Sequence, residues 1–397
     1  MRSLYICYFG VSEPLVSTQV VPYLCELARA GHTIHLLTFE PQSSRVHEAE
    51  FAASTMQRLV AMGVTWHWRS YHKGGFTAKL ADFLSGTWSI LRIARTNKLN
   101  LLHARSHVAM AMALAASWFN GAKVLFDIRG LQAEEYVDAG IWTSSSFGYR
   151  ITKWIERKGI RRADHIVVLT ELFKQYLVEH EGRQPEKITV VPCCVDVAKF
   201  AESAKQSAPT KPFTVIYAGT ITGLYLLPEM AAFVMALRQH IPGAFFHILS
   251  GSPPVPAHQI LRSAGLSDDQ FMIERVTPEE IAAREAGAKY GLCFLKPSFS
   301  KIACSPTKIA EYLAAGLPVV CTAGAGDTDA ILTKNRVGLV FSDLSKDGMS
   351  KCVDDLIRLL SEPGLRERCQ KVAREYFDMH EVGGKRYAVA YRVLEGK

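Results

Sequence analysis

The chain repeats one alternation from end to end. Short runs rich in β-branched and aromatic residues, Leu4–Tyr8, Thr33–Thr38, Val64–Trp68, Asn100–His103, Lys123–Asp127, His165–Leu169 and Ile188–Val191, read as strands. Amphipathic helical stretches such as Thr18–Ala30 and Gly148–Arg162 lie between them. After a polar stretch, Ala201–Pro212, the pattern restarts with predicted strands at Phe213–Ala218, Ala244–Leu249, Gln270–Arg275, Tyr290–Leu295, Pro318–Cys321 and Gly338–Phe341. Helices are predicted at Leu226–Gln239, Pro278–Ala286, Pro306–Ala315, Ser350–Ser361 and Leu365–Phe377. Such alternation specifies parallel sheets with crossover helices, hence an α/β chain of two doubly wound, Rossmann-like domains. At 397 residues the chain is also too long for one core. The expected division is 1–205 and 206–377, with a last helix over 378–397 crossing back to the first domain. Tandem sheets of this kind imply a facing cleft, with ligands beyond the carboxyl ends of the strands.

Composition narrows the setting. A net charge of +8 permits an anionic partner without demanding one, and no nucleic acid is expected. Nine cysteines, none in a C-x-x-C pair, fit reduced thiols. The N-terminus reads as a strand rather than a signal peptide, and Val108–Phe119, an apolar run, is too short to span a bilayer. A cytoplasmic location is expected, extending to peripheral contact at the inner membrane face.

The densest local signal is Lys296–Val320: strand end, loop, helix, glycine stop, next strand. Ser305 reads as the N-cap, Pro306 as the first helical residue and Gly316 as the stop. Lys308 then falls in the first turn, where the helix dipole repels a cation. An anion held jointly by Lys308 and the free N–H groups would explain it, and Glu311 on the same face could accept ribose hydroxyls. The alternative is a surface Lys308–Glu311 ion pair at i, i+3 spacing, and the residues alone leave both open.

Ser305-Pro-Thr-Lys-Ile-Ala-Glu-Tyr-Leu-Ala-Ala-Gly-Leu-Pro-Val-Val320 resembles the donor-binding segment of glycosyltransferase family 4, retaining enzymes of GT-B fold. Ile188–Phe200, Ala163–Thr170 and Leu24–Thr38 resemble further family segments in the family's order, so the likeness covers nearly the whole chain. It implies transfer of a sugar from a nucleotide-diphosphate sugar to a glycan, lipid-linked or small-molecule acceptor, in polysaccharide or glycoconjugate biosynthesis, with no cofactor or metal required. It also implies donor contacts from Gly219, Thr220, Lys296, Ser305, Pro306, Thr307, Lys308 and Glu311. Two departures stand out. The first of the family's paired glutamates falls at Ala303, and the loop Tyr217–Tyr225 lacks the usual basic residues. A sugar epimerase on the same scaffold and a non-catalytic binding subunit therefore remain alternatives.

On the acceptor side, Ser17 and Thr18 stand where relatives carry a glycine pair; a plain N-cap at Ser17 is the other reading. Asp127-Ile-Arg-Gly130 follows a predicted strand. Arg129 would clamp an acceptor or the transferring sugar and Asp127 would orient it, the pair being the catalytic candidates; a buried Arg–Asp pair is the structural alternative. Arg105 joins this group, with Glu134, Glu135 and Asp138 as weaker candidates. Arg150, Lys153, Arg157 and Arg161 recur at helical spacing around Trp154, a basic face over 150–162 suited to anionic lipid or simply to solvent. Asp327-Thr-Asp329 has a metal-like spacing but reads as a helix cap, and no histidine or cysteine cluster has ligand spacing.

Overall fold

The computed structural model describes residues 1–72, 76–206 and 211–396. By Cα packing the chain forms two units: Met1–Val137, Ile141–Pro192 and Gly383–Lys397 make the first, and Asp138–Gly140 with Cys193–Val382 the second. The polar stretch Ala201–Pro212 begins inside a helix, Val197–Gln206, and its residues 207–210 lie outside those described.

The first unit is a seven-stranded parallel sheet in the order β3-β2-β1-β4-β5-β6-β7. The strands are β1 (Arg2–Cys7), β2 (Thr33–Pro41), β3 (Val64–Tyr71), β4 (Leu101–Arg105), β5 (Lys123–Asp127), β6 (His165–Val168) and β7 (Ile188–Val190). β1, β4 and β6 are apolar-rich and almost wholly buried, as strands covered on both faces must be. The helices Phe76–Thr96, Ser106–Asn120 and Phe147–Arg162 pack side by side against this sheet. The C-terminal helix Lys385–Glu395 packs with the helix Val21–Arg29 and against β6 and β7.

The second unit is a six-stranded parallel sheet, β10-β9-β8-β11-β12-β13. Its strands are β8 (Phe213–Ala218), β9 (Ala244–Leu249), β10 (Phe271–Glu274), β11 (Tyr290–Cys293), β12 (Val319–Thr322) and β13 (Gly338–Phe341). Two hydrophobic clusters cover it, one built around Ile309, Tyr312 and Leu313, the other around Phe233, Phe246 and Leu356. In both sheets the strand order reverses beside the first strand, between β1 and β4 and between β8 and β11. That reversal opens a crevice at the carboxyl ends.

Three local expectations change. Thr18–Ala30 is two helices, Pro14–Gln19 and Val21–Arg29, each with a proline in its first turn. The helix expected at Ser350 starts at Lys346, capped by Ser345, whose hydroxyl accepts the Gly348 N–H. The donor-segment helix is Thr307–Ala314 with Pro306 at the N-cap, one residue later than read from the sequence.

Candidate functional site

In the second unit the crevice is built by the helix Thr307–Ala314. Tyr312 fixes its position: the phenol oxygen accepts the Ala218 N–H at 2.8 Å and lies 3.4 Å from the Leu292 carbonyl. This requires Gly291, because a Cβ there would lie 2.2 Å from the Tyr312 ring. The helix start is thereby anchored beside the ends of β8 and β11.

Lys308 points into the crevice. Its ammonium lies 3.6 Å from the centre of the Tyr225 ring, 4.4 Å from that of Tyr217, and 3.4 Å from the Tyr217 hydroxyl. Two tyrosine faces stabilise a cation there by about 0.5–2 kcal/mol each. Gly219 makes the room: its φ is +143°, and a Cβ would stand 2.8 Å from the lysine nitrogen. Lys308 is only 6% exposed, and burial brings its pKa down to about 8.

Among the described residues Lys308 has no ion-pair partner, so the i, i+3 salt bridge with Glu311 does not form. The Glu311 carboxylate, on a partly exposed residue, has no hydrogen-bond or ion-pair partner among the described residues, and burial raises its pKa to about 7. Behind it Glu285 is fully buried with both carboxyl oxygens unpartnered among the described residues. Burial first, and the charge of Glu311 second, push its pKa well above the usual carboxylate range.

The remaining donor candidates take varied places. Ser305 does not cap the helix; its hydroxyl accepts the Cys193 N–H at 3.2 Å. Of the first-turn amides, Ile309 N–H is taken by the Pro306 carbonyl, which leaves those of Thr307 and Lys308. Thr220 is exposed, and its carbonyl accepts the Tyr217 hydroxyl. Lys296, exposed, donates to the Asp138 carbonyl at 3.3 Å. Ala303 is buried in the short 3₁₀ turn Phe299–Ala303. Asp327 stands at the N-cap of Thr328–Asn335 without a side-chain capping bond, and Asp329 accepts the Gly324 N–H. No group of three potential metal ligands occurs among the described residues.

In the first unit the candidates at the strand ends converge on Asp127, which is fully buried. Tyr387 donates to Oδ2 at 2.8 Å and Tyr5 at 3.3 Å. Arg105, Arg129 and His103 stand 3.6, 3.6 and 3.7 Å away. Burial alone would raise the carboxyl pKa, but Arg129, His103 and Arg105 outweigh it and hold it below the usual range. His103 bonds Tyr391, which also reaches Ser3, so two tyrosines of the C-terminal helix close this hub. Arg129 lies over Tyr23 and approaches the Val191 carbonyl at 3.5 Å.

Ser17 and Thr18 lie within the helix Pro14–Gln19 and both return their hydroxyls to the Pro14 carbonyl, so Ser17 is no N-cap. The loop before that helix is held instead by Glu40, a buried residue absent from the sequence reading. Glu40 accepts the Val11 N–H at 2.8 Å and bonds to Thr38 and Ser44. Lys153 leaves the basic face and turns inward to Glu134 at 2.7 Å and to Glu156, while Arg150, Arg157 and Arg161 stay exposed.

Comparison with known proteins places this architecture. Residues 16–199 match the family model described as Glycosyltransferase Family 4. No curated protein sequence matches the chain. Similar solved structures include sucrose-phosphate synthase from Thermosynechococcus elongatus, with a TM-score of 0.70 and 12% identity over 100% of both chains. HepE from Anabaena, in complex with UDP and glucose, gives 0.67 and 13% over 100% of this chain and 99% of that one. WaaG, a glycosyltransferase involved in lipopolysaccharide biosynthesis, gives 0.67 and 14% over 98% and 99%. At such identities the likeness establishes the two-sheet GT-B fold.

Proposed function

We propose that this glycosyltransferase, which carries a family 4 domain, takes a nucleotide-diphosphate sugar in its second unit. Lys308 and the free Thr307 and Lys308 amides hold the diphosphate, and Glu311 accepts the ribose hydroxyls. One observation carries this reading: a buried ammonium at a helix start, at the switch point of the sheet, with no anion of its own. Burying such a charge is costly, and a bound diphosphate would offset that cost.

The proposed reaction retains the configuration at the sugar. The bond from C1 to the diphosphate oxygen breaks, and a bond from C1 to the acceptor oxygen forms on the same face. In this reaction the departing phosphate takes the acceptor's proton. Lys308 and the helix amides stabilise the charge that develops on the leaving group. The acceptor, a glycan, lipid-linked or small molecule of glycoconjugate biosynthesis, would be bound by the first unit near Arg129 and Arg105. Arg150, Arg157 and Arg161, all exposed, support a peripheral contact with an anionic surface that presents such an acceptor.

The test is thermal shift with a panel of nucleoside diphosphates, beginning with UDP, on wild type, Lys308→Ala and Glu311→Ala. Stabilisation by one nucleotide, lost in both variants, is expected. No stabilisation of wild type by any nucleotide would overturn the donor site and favour a non-catalytic subunit. Release of nucleoside diphosphate without an acceptor would favour an epimerase-type reaction.

A further inference from the structure

The helices Phe76–Thr96, Ser106–Asn120 and Phe147–Arg162 lie side by side on the first sheet, and what they show outward is unusual in two respects. The first is charge. Arg150, Arg157, Lys158, Arg161 and Arg162 are exposed on the third helix, and Lys79, Arg92 and Arg95 on the first. The acidic residues of these helices, Asp82 and Glu156, are both buried and paired, with His72 and with His107 and Lys153. The middle helix carries no Asp, Glu, Lys or Arg. The outer surface of all three helices therefore bears eight cations and no anion.

The second respect is apolar exposure. Trp118 and Phe119 end the middle helix 79% and 65% exposed, and Arg95 is tied to that end through the Phe119 carbonyl at 3.1 Å. Leu80, Leu84 and Trp88 follow i, i+4, i+8 on the first helix, and Phe147, Ile151 and Trp154 follow i, i+4, i+7 on the third. All six are exposed. Arg92 lies over the Trp88 ring. Scattered apolar residues need no explanation, but rows of aromatic and aliphatic side chains on adjacent helices do.

We propose that this three-helix face docks on an anionic lipid surface, the basic residues meeting the head groups while Trp118, Phe119, Trp88 and Trp154 enter the interface. The inference deepens the peripheral contact named above by committing it to lipid and extending it to two further helices. Charge complementarity selects the occupant: a surface with cations only, threaded by tryptophan and phenylalanine, matches anionic head groups over acyl chains. No helix among the described residues is long and apolar enough to cross a membrane, so the attachment would be lateral and salt-sensitive.

The experiment is co-flotation of the full chain with vesicles of phosphatidylcholine alone and of phosphatidylcholine with one quarter phosphatidylglycerol, at physiological and high salt. Wild type should float with the anionic vesicles only, and less so at high salt. Combined Arg150→Gln, Arg157→Gln and Arg161→Gln substitutions should weaken binding by roughly a hundredfold, at about fivefold per lost cation. Trp88→Ser, Trp118→Ser, Phe119→Ser and Trp154→Ser combined should abolish salt-resistant binding and the tryptophan emission shift on vesicle addition. Both variants should keep the wild-type melting temperature and any nucleotide-induced shift, which separates this proposal from the donor-site reading. Failure of wild type to float, or undiminished flotation of either variant, would overturn it. So would a concentration-dependent dimer that the aromatic variant abolishes, because the face would then be covered by a second copy.

Discussion

The two units bury charge at corresponding places, the carboxyl ends of their central strands, and treat it in opposite ways. In the first, Asp127 is surrounded by two arginines, a histidine and two tyrosine hydroxyls, and the C-terminal helix closes over it. In the second, Lys308 rests on two aromatic faces, and among the described residues the Glu311 carboxylate and two amides of the helix start have no partner. A polar cluster whose members bond each other contributes to the fold. One whose members lack partners contributes to a ligand at the expense of the fold.

Substitution of Asp127 should break that contrast most severely. Asp127→Ala leaves Arg105 and Arg129 buried without their shared counter-charge and removes the acceptor for Tyr387. Loss of one partner from a buried ionic group costs about 3–5 kcal/mol. Urea denaturation should show that loss, or no folded protein. A change below about 1 kcal/mol would mean the hub is not what holds the C-terminal helix.

Lys308→Met should do the opposite. Nucleotide affinity should fall by roughly a hundredfold, the scale of one charge-assisted contact to a diphosphate. The melting temperature should stay level or rise, because burial already disfavours the ammonium, bringing its pKa to about 8. A Lys308→Met protein that melts earlier while binding nucleotide normally would make the lysine a structural element, like Asp127.

Gly219→Ala sharpens the same point at smaller scale. The added methyl would meet the lysine nitrogen at 2.8 Å, in a backbone conformation at φ +143° that L residues rarely adopt. A stability loss of roughly 1–3 kcal/mol is expected from the strain. Nucleotide affinity should drop about tenfold as Lys308 is displaced. Titration calorimetry measures the second effect separately from the first.

The fold was legible because its signal is redundant: the buried parallel strands are short, mostly apolar runs, and the two reversals of strand order follow the same alternation. The helix Thr307–Ala314 was legible because Pro306, Lys308 and Gly316 are local signals. Helix starts were less so, since Ser305 turns to the Cys193 amide instead of capping. What escaped were partners brought together by topology. Tyr387 and Tyr391 look like ordinary residues of a C-terminal helix, yet they reach a carboxylate and a histidine more than 250 positions earlier. Glu40 and Glu285 sit in stretches whose polarity reads as surface, and only packing shows both to be buried. Lys153 fits the spacing of the basic face, but the position of Glu134 draws it inward.

Acid should reveal the same asymmetry between the units, at the smallest scale. Burial lowers the pKa of His35 and of His165 to about 4, and lowers those of His67 and His103 as well; all four belong to the first unit. In the second unit burial lowers the pKa of His247, and Glu274 partly offsets that effect. A histidine neutral in the fold contributes its full stability above the unfolded pKa near 6.5. That contribution is lost as pH falls from there toward the folded value. At pH 5.5 each strongly shifted histidine should cost about 1 kcal/mol relative to pH 7.5. Calorimetry across that range should therefore show the first unit's transition moving down, while the second unit's moves up as Glu285 and Glu311, whose pKa values burial raises, take up protons, and added nucleotide should raise only the second. His35→Leu with His67→Leu, which removes the stacked pair between β2 and β3, should reduce the pH dependence of the first transition alone. Equal movement of both transitions would mean that acid stability is not set by these buried imidazoles.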